Sequence, residues 1–322
     1  MVKPRTTGWR IKLSADFRGE VLAELTRNGL VESIHTGHLI MLNADGTVYK
    51  IKGSVDMPIF PRSTVKCMQA SAMVRSGLKL EPRLLALVAS SHSGAKMHQD
   101  AVLEILSSVG LNESDLQCAF DKPLGEAERI AWGEKAATRL AMNCSGKHAG
   151  MLATCVANGW DIKTYLNADH PLQVAVLNEI EALASTTVAN KTFDGCGAPL
   201  FAMTTRELAK AIHEITISND HVHLEVMNAT RAFPEMVAGP GRLTTRTMQS
   251  VPGLFMKEGA EAVEVASLSD GRTLVFKISD GSWRAFGAIM HAALLEWGIT
   301  TTEEAFNVYG GANIVGGMRA VL

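Results

Sequence analysis

Pro61-Arg62-Ser63-Thr64-Val65-Lys66-Cys67-Met68-Gln69 places a serine three residues ahead of a lysine, directly after a turn marked by Pro58 and Pro61. The uncharged run Gln69 to Val74 that follows suits a buried helix. On a helix, positions i and i+3 share a face, so Ser63 in the first turn and Lys66 would point the same way. A serine hydroxyl is a weak nucleophile until a neighbour takes its proton. A lysine can take it when burial or nearby cations hold the amine neutral. A helix start also offers free N–H groups to developing negative charge. Ser-x-x-Lys also arises by chance, and a serine at a helix start is most often only an N-cap. The pair therefore needs corroboration from the rest of the chain.

The 322 residues are 47% hydrophobic, enough for a sizeable core, and carry a net charge of -2. No basic run marks a nucleic-acid surface, and aromatics at 6% are too few for base stacking. No apolar stretch reaches the roughly 20 residues of a membrane span. The first residues are basic but lack the apolar core of a signal peptide, so residues 1–15 read as a short arm on a cytoplasmic protein. Five scattered cysteines, Cys67, Cys118, Cys144, Cys155 and Cys196, form no disulfide framework. Reduced thiols fit better, with a metal-binding or reactive subset among them.

Around the Ser63 helix the chain reads as strands at both ends and helices between. Val21 to Leu25 and Glu32 to Leu42 are rich in β-formers, and Ala44-Asp45-Gly46 turns the chain back into Thr47 to Ile51. Helices are expected over about 96–109, 149–156, 171–184, 204–215 and 221–236, with residues 111–135 less regular. Asp169 is the expected cap before Pro171, and Thr204 or Thr205 opens the next helix with Glu207 placed for a capping box. Ala262 to Leu268, a turn at Ser269-Asp270-Gly271, and Thr273 to Ser279 form an antiparallel hairpin ahead of a helix from Arg284 to Trp297. The expectation is an α+β protein with a mixed or antiparallel sheet from both chain ends and a helical region over it, residues 16–322 forming a single catalytic domain.

Five polar segments could carry chemistry: Ser63 to Lys66, Ser91 to Gly94, Asn143 to Lys147, Asp194 to Pro199, and Met256-Lys257-Glu258-Gly259 at a strand mouth. A lone strand-edge lysine such as Lys257 is usually just solvated. The set is more telling. An early Ser-x-x-Lys on a helix, polar loops in the helical middle and a late Lys-x-Gly on a strand resemble the serine β-lactamase, penicillin-binding-protein and glutaminase architecture. The glycine beside the late lysine would let a substrate approach the strand backbone.

Within that architecture, Ser90-Ser91-His92-Ser93-Gly94, Asn143-Cys144-Ser145-Gly146-Lys147-His148-Ala149-Gly150-Met151 and Asp194-Gly195-Cys196-Gly197 resemble the signatures of the Rhizobium etli-type bacterial L-asparaginases, the asparaginase II family or class 3. The resemblance runs from about Leu25 to Leu322. It implies hydrolysis of L-asparagine to L-aspartate and ammonia. By motif it makes Ser63 the nucleophile with Lys66 as base, and Ser91 with Lys257 a second serine–lysine pair. Lys277 is the weaker candidate for that lysine. The resemblance also implies that Cys144, Lys147 and Cys196 bind Zn2+, and that the protein is a homodimer. Arg62, His92 and Asp194 stand as substrate-binding candidates. From spacing alone, Cys144 and Cys196 read as buried structural thiols, and His92 and His148 as histidines that hold loops.

Two positions depart from the family pattern. Cys67 stands where a proline usually follows the lysine, and Ala95 where an acidic residue usually follows Ser-His-Ser-Gly. Neither removes a catalytic candidate, but Ala95 bears on loop contacts and substrate preference. Competing readings are a glutaminase or β-lactam-active enzyme of the same fold, and a non-catalytic zinc-dependent ligand-binding protein.

Overall fold

The structure is a computed structural model that describes residue 17, residues 19–301 and residues 306–322. The expected arm, residues 1–15, lies outside the described residues. The chain opens with strands β1 (Glu20–Arg27), β2 (Leu30–Leu42), β3 (Val48–Lys52) and β4 (Pro58–Ile59). Helices α1 (Lys66–Arg75), α2 (Pro82–Val88), α3 (Lys96–Ser108), α4 (Glu126–Trp132), α5 (Ser145–Asn158) and α6 (Pro171–Ala184) follow. Short strands β5 (Lys191–Phe193), β6 (Pro199–Phe201) and β7 (Met203–Thr204) lead to α7 (Thr205–Ile217), α8 (His221–Ala232), α9 (Pro234–Val237) and α10 (Leu243–Ser250). The chain then returns to strands β8 (Phe255–Gly259), β9 (Val263–Ser267) and β10 (Thr273–Ile278), helix α11 (Phe286–Glu296), and strands β11 (Phe306–Gly310) and β12 (Asn313–Ala320).

The two chain ends do build one sheet, in the order β11-β12-β1-β2-β10-β9-β8, with β3 beside β2. Every pairing in it is antiparallel. The fold is α+β, as expected. All residues of β9 and β10 are buried, so both faces of the sheet are covered there. Thr216 of α7 bonds Ser267 of β9 at 2.7 Å, and Phe286 of α11 packs on Phe276 of β10. Phe276 pairs with Glu264, three residues from Ser267, so strand alternation puts α7 and α11 on opposite faces.

Helix α1 is the axis of the helical part. Lys66 through Met73 are all buried, and the helix reaches solvent only at its C-terminal end, at Arg75. Small residues let its neighbours come close. A Cβ on Gly146 of α5 would lie 2.6 Å from the Leu87 carbonyl oxygen, and one on Gly150 would lie 2.7 Å from Val88. At the front of α7 the expected capping box is present, Thr204 accepting from Glu207 N and Glu207 accepting from Thr204 N.

Several elements differ from expectation. Ser63 lies not in the first turn of α1 but in a 3₁₀ turn, Arg62–Val65, that precedes it. His170, not Asp169, caps α6 by accepting from Leu172 N. The long helix expected over 221–236 breaks at Phe233, because Pro234 cannot continue the α8 hydrogen bonds. The segment 111–135 holds α4, and β12 pairs between β1 and the edge strand β11.

Candidate active site

Edge strand β8 runs along the Ser63 turn. A Cβ on Gly259 would lie 2.8 Å from the Pro61 carbonyl oxygen and 3.2 Å from Ser63 N. Arg62 is held at φ +54°, in the left-handed region that a bulky side chain seldom adopts. Its guanidinium is clamped on Asp194, Nε to Oδ1 at 2.8 Å and Nη2 to Oδ1 at 2.7 Å. Burial works against the Asp194 carboxylate, but Lys147 and Arg62 outweigh it and hold the carboxyl below its usual range.

Ser91 sits in the loop between α2 and α3, tied down by its own N–H to Val237 O and by His92 N–H to Asn143 O. Two lysines meet at its hydroxyl. Lys66 Nζ lies 3.1 Å from Ser91 Oγ, and Lys257 Nζ lies 2.8 Å from the same atom. Lys66 also donates to Ser90 O at 2.5 Å and contacts Cys144 Sγ at 3.0 Å. Both lysines are 1% exposed. Burial, reinforced by the positive charge of Lys66, pushes the Lys257 amine down to about 7. At neutral pH Lys257 is therefore about half in the free-base form that a general base needs. Lys277, the weaker alternative, spends its ammonium on Glu261 O and Ile278 O and does not reach Ser91.

Ser63 and Ser91 both line a cleft of about 860 Å³, together with Asn143, Arg242, Glu258 and Gly259. Among the described residues the Ser63 hydroxyl makes no hydrogen bond, so the Ser63–Lys66 pairing foreseen from spacing is not closed. Lys66 donates to Ser91 Oγ and Ser90 O instead.

Cys144 occupies the position before α5 and Lys147 its first turn, while the β5–β6 loop brings in Cys196. Lys147 Nζ lies 3.3 Å from Cys196 Sγ. The Cys144 thiol is hydrogen-bonded to Cys196, which with the Lys147 charge holds the Cys196 thiol far below its ordinary value despite burial. The same bond and burial push Cys144 up. For Lys147, burial is outweighed by the charges of Cys196, Cys144 and Asp194, which push it up. Thiols and an amine are donors that zinc accepts, and to take it up the Cys144 thiol and the Lys147 ammonium would each have to shed a proton. Among the described residues, no cluster of three or more His, Cys, Asp and Glu side chains is arranged for a metal, so this mixed set is the one to consider.

The substrate-binding candidates divide. Arg62 and Asp194 form one charged pair. His92 does not line the cleft: it is fully buried, takes Gly94 N–H on Nδ1, faces Ser145 Oγ at 2.9 Å with Nε2, and stacks on His98. It holds the Ser91 loop. His148 is likewise buried against the Tyr165 hydroxyl, and burial followed by the Lys147 charge pushes it down to about 3.

Sequence reasoning missed Arg242 and Glu264. Arg242 donates to the Ser91 carbonyl at 3.2 Å and is ion-paired with Glu258. Glu264 lies opposite Glu258 in the β8–β9 register, fully buried, with its carboxyl pushed well above the usual range by burial and then by Glu258. The Gly239-Pro240-Gly241-Arg242 stretch was a visible turn signal that ends on a cation reaching the Ser91 loop. Nothing local marks Glu264.

The arrangement offers two cleft-facing serines, a buried base and a charged pair. A profile of the family described as L-asparaginase II matches residues 23–317. No curated protein sequence matches. Among solved structures, a β-lactamase from Mycobacterium bovis is 14% identical, with 82% of this chain and 95% of that chain covered and a TM-score of 0.44. A Bacillus glutaminase is 11% identical, covering 82% and 91%, with a TM-score of 0.38. Likenesses at that level carry nothing about substrate or mechanism.

Proposed function

From a chain that belongs to the L-asparaginase II family, and so is an amide-hydrolysing enzyme, we propose an L-asparaginase of the Rhizobium etli type, converting L-asparagine to L-aspartate and ammonia by serine–lysine acyl transfer. The observation that supports it most is the convergence of Lys66 and Lys257 on Ser91 Oγ at the floor of a cleft that Ser63 also lines.

Ser91 is engaged by both lysines, which suits a proton relay. The Ser63 hydroxyl is free to attack, so Ser63 is the nucleophile. It adds to the side-chain amide carbon as its proton passes towards the neutral Lys257 amine through Ser91. Apo geometry is commonly looser than the reactive complex, so the Ser63 contact closes on substrate. Backbone N–H groups at the Ser63 turn and the Lys66 charge hold the oxyanion. The C–N bond breaks as the relay returns a proton to the nitrogen, releasing ammonia. A water then cleaves the aspartyl ester by the same route. Asp194 and Arg62 are suited to the α-ammonium and α-carboxylate.

Cys144, Lys147 and Cys196 would hold Zn2+. A bound zinc supplies positive charge and polarisation beside the substrate. Without it these three side chains already fix the Asp194 loop against α5. A cytoplasmic homodimer completes the proposal. No helix among the described residues is long and apolar enough to cross a membrane.

The test is ammonia release by the purified protein from L-asparagine and L-glutamine. Turnover of asparagine with a kcat/KM at least tenfold above glutamine is expected. Preference for glutamine would replace this reading with a glutaminase, and no turnover of either would remove it.

A further inference from the structure

The cleft at Ser63 and Ser91 is larger than its proposed substrate. Clefts of roughly 300–1,000 Å³ bury drug-sized molecules, and about 860 Å³ is far more than a free amino acid fills. Much of the surplus is lined by apolar side chains. Leu124 and Ile130 face it from the α4 side, Leu243 from the start of α10, and Trp283 and Phe286 from the start of α11. Leu124 is 41% exposed, Ile130 74% and Trp283 38%. Scattered apolar exposure means little, but three such side chains lining one cleft mark a contact surface.

Charge narrows the occupant. The carboxylates lining the cleft are Glu126, Glu128 and Glu258, and Arg242 is the one lining cation among the described residues. Arg242 is already paired with Glu258, and Glu128 accepts from Ser93 Oγ at 2.7 Å. An anionic group in this part would meet repulsion without a free partner. The Arg62–Asp194 pair, which suits the α-groups of an aspartyl unit, does not line it. The acyl half and the leaving half of a substrate thus have separate surroundings.

We propose that the enzyme accepts β-amides of aspartate whose leaving amine carries a neutral aryl or comparably large apolar group, seated between Leu124, Ile130 and Trp283. This rests on the asparaginase reading above and widens its substrate class. The chemistry is unchanged: the Ser63 Oγ–carbon bond forms, the C–N electron pair leaves with the nitrogen, and the amine departs with a proton from the relay. Water then releases aspartate from the ester.

The experiment compares L-aspartic acid β-(4-nitroanilide), L-aspartic acid β-methylamide and L-asparagine on the wild type, Trp283→Ala and Ile130→Ala. The nitroanilide is expected to exceed asparagine in kcat/KM at least tenfold. Each variant should lower the nitroanilide-to-methylamide ratio at least fivefold, a comparison that cancels the reactivity of the anilide and any general loss of fold. Turnover of asparagine with none of the nitroanilide overturns the inference, as do variants that leave the ratio unchanged. Turnover of the nitroanilide but not of asparagine supports the inference and removes the asparagine assignment. No turnover of any of the three removes both.

Discussion

Lys257 is the side chain whose environment decides most. Burial and the Lys66 charge hold its amine near 7, so the base is free above that pH and charged below it. Glu258, Glu264 and Arg242 are the other charged groups around it. kcat/KM for asparagine should therefore rise with pH through about 7, measured between about pH 5 and 9. A flat profile there would remove Lys257 as the base. The stability sign follows from the same shift. An unfolded lysine titrates near about 10.4, so between about 7 and 10 the unfolded chain holds a proton that the native one has shed. Native stability contributed by this group then increases with pH across that window, readable in urea midpoints. The spacing of Ser63 and Lys66 was legible because a motif is local. Arg242 on the Ser91 carbonyl was not, because 151 residues separate the partners and only the fold brings them together.

At the scale of elements, the site depends on how closely β8 lies against the Ser63 turn. Gly259 has an ordinary negative-side backbone, so a methyl there is excluded by contact and not by conformation. Gly259→Ala should push β8 off Pro61 and Ser63 and lower kcat by about ten- to a hundredfold, with far-UV circular dichroism unchanged. Wild-type kcat in that variant would show that the close approach is unimportant. The α7 cap offers a control away from the site. Thr204→Ala removes the bond to Glu207 N at 3.1 Å and should cost about 1 kcal/mol in chemical denaturation with kcat retained. The capping box was legible from Glu207 and the two threonines before it, since it is a four-residue pattern, and the structure picks Thr204 over Thr205. The α6 cap was misread because Asp169 and His170 are adjacent candidates, and only the backbone path chooses between them. The break at Phe233 was signalled by Pro234, although the apolar pattern runs through it.

For the whole molecule, the strands at the two chain ends were assigned to one sheet from their positions in the sequence, and the structure joins them through β2 and β10. The insertion of β12 beside β1 escaped notice, because Asn313 to Ala320 has two glycines and a partly exposed pattern instead of clean alternation. Long-range assembly also sets the thiol–amine group, since Cys144 and Cys196 come from separate loops. Zinc binding there should raise the melting temperature in a concentration-dependent way, by mass action on the native state. Cys196→Ser should abolish that increment, and an equal zinc response in the variant would place the metal elsewhere. In the proposed mechanism these sites serve one chemical event at Ser63. The decisive measurement is peptide mapping by mass spectrometry of protein acid-quenched during turnover of L-asparagine. An aspartyl adduct on the peptide carrying Ser63, absent in Ser63→Ala together with a loss in kcat on the order of 10⁴–10⁶, is the predicted result. An adduct on Ser91, or undiminished ammonia release by Ser63→Ala, would contradict it.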